Sequence, residues 1–83
     1  MKVLLSPQAT DDLEDLPLVI HTRALRILER LQSWPGVSGA KPLSGPLAGH
    51  YRIRTGDYRV QFCVRGGVVV VEKIGHRVRF YED

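Results

Sequence analysis

Arginine recurs beside strand-forming residues in the last third of this chain: Tyr51-Arg52-Ile53-Arg54, then Asp57-Tyr58-Arg59-Val60, then Gly75-His76-Arg77, with Tyr81 close behind. Successive side chains of a strand point to opposite faces, so Arg52 and Arg54 share one face while Tyr51 and Ile53 share the other. Thr55-Gly56-Asp57-Tyr58 reads as a tight turn. With Gly56 and Asp57 at its centre, Arg54 falls directly across a hairpin from Arg59, Ile53 meets Val60 and Tyr51 meets Phe62. Apolar residues then meet on one face and arginines on the other, which is what a correct register should give. Like charges set opposite one another on neighbouring strands are destabilising by up to about 1 kcal/mol. A cluster of this kind is expected to hold an anion, and phosphate is the anion that guanidinium groups grip best.

The rest of the chain has to position that face. Lys2-Val3-Leu4-Leu5 is a short apolar strand, followed by Ser6-Pro7, a helix start with Ser as N-cap and Pro in the first turn. Ala9, Leu13 and Leu16 recur at helical spacing before Pro17 closes that helix, and Asp11, Asp12, Glu14 and Asp15 read as its solvated face. A second apolar stripe, Ile20, Ala24, Ile27, Leu28, Leu31 and Trp34, predicts a longer helix ending at Trp34-Pro35-Gly36. Arg23, Arg26 and Arg30 fall on another side of it, as solvated surface or as an auxiliary RNA-binding face. Residues 35–49 are rich in Gly and Pro and read as loop. Three strands follow, His50 to Thr55, Tyr58 to Arg65 and Val68 to Ile74, joined by Gly56-Asp57 and Gly66-Gly67. Val68 to Val71 is apolar on both sides, which predicts an interior strand. The expected fold is α+β, an N-terminal strand and a helical hairpin packed on an antiparallel sheet.

Composition narrows the function classes. At 83 residues the chain reads as a single domain, 1–83, with no apolar run near the ~18 residues of a membrane span and no signal peptide. The expected location is the cytoplasm, which suits the single cysteine, Cys63. His21, His50 and His76 lack close metal-ligand spacing, so neither a metal nor a cofactor is expected. The net charge of +3 arises within residues 50–83, which carry seven basic and four acidic side chains against five of each before them. Such clustering points toward a nucleic-acid partner.

Leu43-Ser44-Gly45-Pro46-Leu47-Ala48-Gly49-His50-Tyr51-Arg52-Ile53-Arg54, Gly56-Asp57-Tyr58-Arg59-Val60, Ile74-Gly75-His76-Arg77 and Tyr81 together closely resemble the RelE family of bacterial and archaeal toxins. The match extends to the opening Leu5-Ser6-Pro7-Gln8-Ala9 and to Leu13-Leu16-Pro17, and its motifs cover about half the residues. The resemblance implies a toxin of a type II toxin-antitoxin pair, an endoribonuclease that cuts mRNA codons in the ribosomal A site and stops translation. It implies three partners: a cognate, RelB-like antitoxin, the small ribosomal subunit with its mRNA, and operator DNA reached only through the antitoxin complex. Carried over by position, Arg52 and Arg54 take two basic places that are lysines in the best-known member, while Arg59, Arg77 and Tyr81 match in type. Arginine clamps phosphate well but is a poor general base.

Metal-free RNA cleavage uses the ribose 2′-hydroxyl as nucleophile. The protein must align that hydroxyl, help remove its proton, stabilise the phosphorane and protonate the leaving 5′-oxygen. Arg54, Arg59 and Arg77 are assigned to charge stabilisation. Arg52 is assigned to binding RNA. Tyr81 is assigned to stacking on a base or touching the scissile region. His76 is the leading proton carrier by chemistry, although strand alternation sets it opposite Arg77, and His50 is a second candidate. Two rivals remain: a non-nucleolytic, gyrase-inhibiting toxin of the ParE branch, and an RNA-binding domain without turnover.

Overall fold

The structure is a computed structural model and describes residues 1–80. A five-stranded sheet runs in the order β1-β5-β4-β3-β2, formed by β1 (Lys2–Leu5), β2 (Lys41–Pro42), β3 (His50–Thr55), β4 (Tyr58–Arg65) and β5 (Val68–His76). Helices α1 (Pro7–Glu14) and α2 (Leu18–Leu31) cover one face, and a single turn, α3 (Arg77–Phe80), follows β5. The β3–β4 register is the one the turn chemistry predicts: Tyr51 pairs with Phe62, Ile53 with Val60 and Arg54 with Arg59. Gly56 has φ +60, a left-handed conformation that the tight turn requires and that glycine adopts without steric penalty.

Three expectations are corrected. The N-terminal strand is part of the sheet itself, parallel to β5 with Lys2 opposite Val68 and Leu5 opposite Val71, so the sheet is mixed and not purely antiparallel. The loop of residues 35–49 contains β2, whose two residues pair with Tyr51 and Arg52, and a 3-10 turn at Gly45–Leu47. Two residues are too few to leave a periodicity, so only pairing with β3 reveals that strand. Helix α2 stops at Leu31, and Trp34 leaves the helical stripe to pack edge-on against Tyr51 at 4.7 Å and Phe62 at 5.1 Å. Its indole closes the core at the end where α2 departs.

The core gathers Ala9 of α1, Ile27 and Leu31 of α2, Ile53, Val60 and Phe62 of the hairpin, and Val69, Val71 and Ile74 of β5. Sequence alternation in β3 and β4 therefore delivers the apolar face to the helices and leaves the arginine face uncovered by them.

Ser6 joins the helical layer to the sheet. Its hydroxyl accepts the Ala9 N–H at 3.0 Å as an N-cap and donates to the Glu72 carbonyl at 2.8 Å, while its own N–H donates to the Val71 carbonyl. Asp12 departs from its expected place in a purely solvated face, because Oδ2 accepts the Ile74 N–H at 2.9 Å where β1 has ended and β5 lacks a strand partner on that side. Ser6→Ala removes a cap and a part-buried hydrogen bond together, and is expected to destabilise the fold by about 1–2 kcal/mol in urea unfolding. A loss below ~0.5 kcal/mol would mean that water replaces both bonds.

Candidate nucleic-acid interface

The uncovered face of the hairpin forms the floor of a groove of about 630 Å³ lined by Arg30, Lys41, Arg52, Arg54 and Arg59, with Ser38, Gly39 and Ile53 between them. No acidic side chain lines it among the described residues. Each cation arrives by a separate local cause. Strand alternation places Arg52 and Arg54 on the same side of β3, and the turn register brings Arg59 across from Arg54. Pairing of β2 with β3 sets Lys41 beside Arg52. Arg30 reaches in from the last turn of α2, where Nη2 donates to the Ser38 carbonyl at 2.6 Å. Arg30 and Lys41 escaped the sequence reading as groove residues, Lys41 because the two-residue strand is invisible to periodicity. In the sequence Arg30 is indistinguishable from Arg23 and Arg26 on the basic side of α2.

The opposed arginines are not alike. Arg54 is exposed and has no hydrogen bond or ion pair among the described residues, so its guanidinium is available to a ligand. Arg59 is 8% exposed, and its Nη1 donates to the Gly56 and Tyr58 carbonyls at 3.2 and 3.1 Å, which folds it over the turn it follows. That arrangement holds one edge of the guanidinium and keeps it beside the groove. Arg59→Ala is therefore expected to cost about 1–3 kcal/mol of stability as well as any ligand affinity. Thermal unfolding of the variant beside Arg54→Ala separates the two roles, and equal midpoints would remove the structural part from Arg59.

Arg77 begins α3 at the hairpin tip. Its N–H donates to the Asp57 carbonyl at 2.7 Å and its Nε lies 3.7 Å from Asp57 Oδ1, with both side chains more than half exposed. An exposed pair of that kind contributes little, about 0–1 kcal/mol, and a phosphate can displace the carboxylate at small cost. Arg77 does not line the groove itself. His76 pairs across from Tyr58, their rings edge-on at 5.2 Å, and borders a second cleft with Asp12 and Asp15 on the α1 side. The structure thus sets it at the same sheet end as Arg54 and Arg59 but on the other face, as alternation predicts. His50 is on the arginine face, yet it lies four residue steps along β3 from Arg54, about 13 Å. Tyr81, the base-stacking candidate, lies outside the described residues.

The comparisons with known proteins agree with this architecture. Residues 3–81 match the model of the ParE toxin of the type II toxin-antitoxin system parDE. Toxin RelE3 of Methanocaldococcus jannaschii is 31% identical over 85 residues, covering 99% of this chain and 97% of the relative. This chain belongs to the RelE/ParE superfamily of type II toxins. Among solved structures, the RelB-RelE antitoxin-toxin complex from Methanococcus jannaschii contains a chain that superposes with TM-score 0.81 at 28% identity, covering 95% of each chain. The RelBE2 toxin-antitoxin complex from Mycobacterium tuberculosis gives TM-score 0.78 at 28% identity, with 92% of this chain and 90% of the other covered. The isolated E. coli RelE toxin, at 19% identity and TM-score 0.75 over 90% of this chain and 82% of that one, shares the fold. Among the described residues of this superfamily member, no helix is long and apolar enough to cross a membrane.

Proposed function

We propose that this toxin is a ribosome-dependent endoribonuclease that cuts mRNA codons in the A site of the small ribosomal subunit and so arrests translation. The observation that carries the reading is the groove lined by five cations and, among the described residues, by no acid, set on one face of a hairpin. A ligand for it must be polyanionic and extended, and single-stranded RNA meets both conditions. Arg54, Arg59 and Arg77 stabilise the charge that develops on the phosphorane as the ribose 2′-hydroxyl attacks. Arg52, with Lys41 and Arg30, holds flanking phosphates, and Tyr81 stacks on a base. Proton transfer is assigned to His76 on its chemistry, with its ring on the face opposite Arg54 and Arg59. The scarcity of proton carriers on the groove side is why the ribosome is needed to orient the codon.

A RelB-like antitoxin is the proposed cognate partner, in keeping with the antitoxin-toxin complexes formed by the structural relatives, and operator DNA is met only through that complex. The proposed setting is the cytoplasm, with residues 1–83 acting as a single domain. The family model favours a second reading, a gyrase-directed toxin of the ParE branch. RNA binding without turnover is a third.

Primer extension on mRNA from cells briefly expressing the toxin separates these readings when run beside Arg54→Ala and Arg77→Ala. In-frame cuts inside translated codons that disappear in both variants support the nuclease. Growth arrest with intact mRNA and DNA damage supports the gyrase reading. Arrest with neither cuts nor damage leaves RNA binding alone.

A further inference from the structure

Three side chains far apart in sequence converge on the arginine face beyond Arg52. His50 of β3, Cys63 of β4 and Glu72 of β5 each present one ligand atom, and these atoms all lie within 4.8 Å of one another. Cross-strand pairing sets His50 directly opposite Cys63. Glu72 joins them through a β-bulge: Gln61 pairs with Lys73 and Phe62 with Val71, so Glu72 is the extra residue with no partner in the β4–β5 ladder. Bulges re-aim side chains, and this one turns the Glu72 carboxylate over the next two strands. Oε1 lies 2.5 Å from His50 Nδ1 and accepts a longer bond from Gln61 Nε2 at 3.4 Å. On the backbone side the Ser6 hydroxyl holds the Glu72 carbonyl, which fixes the bulge from behind.

We propose that His50, Cys63 and Glu72 form a binding site for a single transition-metal dication of the zinc type. The donor set is one imidazole nitrogen, one sulfur and one carboxylate oxygen, a mixture that suits zinc and excludes magnesium and calcium, which take oxygen ligands. Three protein ligands leave a fourth, tetrahedral position for water. Burial fits this arrangement, because Cys63 is 4% exposed while the His50 and Glu72 side chains remain 22% and 24% exposed, so the ion enters and keeps its water from the open side. Ligand atoms around tetrahedral zinc sit roughly 3–4 Å apart given bonds of ~2.0–2.3 Å. Reaching that spacing takes a small separation of His50 from Glu72 and a small approach by the thiol, both within side-chain adjustment.

Charge also balances. On binding, the Cys63 thiol proton leaves to solvent and a sulfur lone pair goes to the metal, while the hydrogen now between His50 Nδ1 and Glu72 Oε1 passes to His50 Nε2 by a change of tautomer, which leaves a neutral imidazole with a free Nδ1 lone pair and a free carboxylate oxygen for the ion. A dication with one thiolate and one carboxylate has no net charge, so the cations of β3 do not oppose it. Gln61 then serves as the outer hydrogen bond that orients the ligating carboxylate.

Cobalt(II) added to the full, reduced chain is the probe. The expected result is one equivalent bound, with a sulfur-to-cobalt charge-transfer band and the strong visible bands of a four-coordinate ion, all removed by added zinc. Cys63→Ala should abolish the charge-transfer band, and His50→Gln and Glu72→Gln should each weaken binding at least ~10-fold, since even outer-shell losses do so. Circular dichroism without metal checks that each variant is folded, and the two partly exposed positions keep the test decisive if Cys63→Ala is not. Absence of the charge-transfer band at millimolar cobalt, or equal affinity in all folded variants, would overturn the site.

Discussion

Arg54→Ala is expected to lower codon cleavage by on the order of 100- to 1000-fold, the typical loss when one preorganised donor to a developing oxyanion is removed. The same change should leave stability within about 0.5 kcal/mol of the parent, or above it. Both halves follow from the position. Arg54 is exposed, makes no bond among the described residues and faces Arg59 across the hairpin, so the folded chain gains nothing from it and tolerates a like charge opposite. Activity and stability should therefore move in different directions, as they do where a site is kept at the expense of the fold. Single-turnover cleavage on programmed ribosomes, read beside a thermal melt, tests the pair. Full cleavage with an unchanged melt would leave Arg54 as bystander charge and would remove the main support for the nuclease reading.

Phe62→Ala should produce the largest stability loss of any change considered. The ring is wholly buried, stacks on Tyr51 at 5.5 Å and receives the edge of Trp34 at 5.1 Å. Truncating a buried phenylalanine costs about 3–5 kcal/mol, from lost transfer energy and the cavity left behind. A chain of 83 residues has roughly 4–12 kcal/mol in total at the usual stability per residue. The variant should be largely unfolded at 37 °C or show a urea midpoint reduced by about a quarter or more. The single tryptophan, Trp34, touches the missing ring, so circular dichroism must accompany its fluorescence. A loss under ~1 kcal/mol would mean that Tyr51 and Trp34 collapse into the gap.

The central hairpin was legible because two independent signals coincide there. Alternation in Tyr51 to Arg54 and Tyr58 to Val64 fixes the faces, and Gly56-Asp57 fixes the register, so pairs could be named residue by residue. The Ser6-Pro7 helix start was equally local. What escaped depends on long-range pairing. The parallel union of β1 with β5 joins residues 66 positions apart, and nothing near either strand announces the other. Lys41 enters the groove by a strand of two residues, and Arg30 by the point at which α2 stops. The His50, Cys63 and Glu72 cluster was hidden for a further reason. Metal motifs are recognised by short spacing along the chain, whereas these three come from three strands, and the bulge that turns Glu72 toward them breaks the alternation on which strand reading relies.

The place of β5 between β1 and β4 also governs the order in which the molecule can be completed during its own synthesis. The β3–β4 hairpin, with its arginines, can form from neighbouring residues as soon as they are available. The N-terminal strand, made first, has no seat until Val68 to Val71 have been added, and the bulge that Ser6 secures comes later still. Such distant parallel pairing is slow, because a long loop must close before any contact repays it. A nascent chain therefore carries its arginine-bearing hairpin on an unfinished sheet until Val68 to Val71 are available to seat β1.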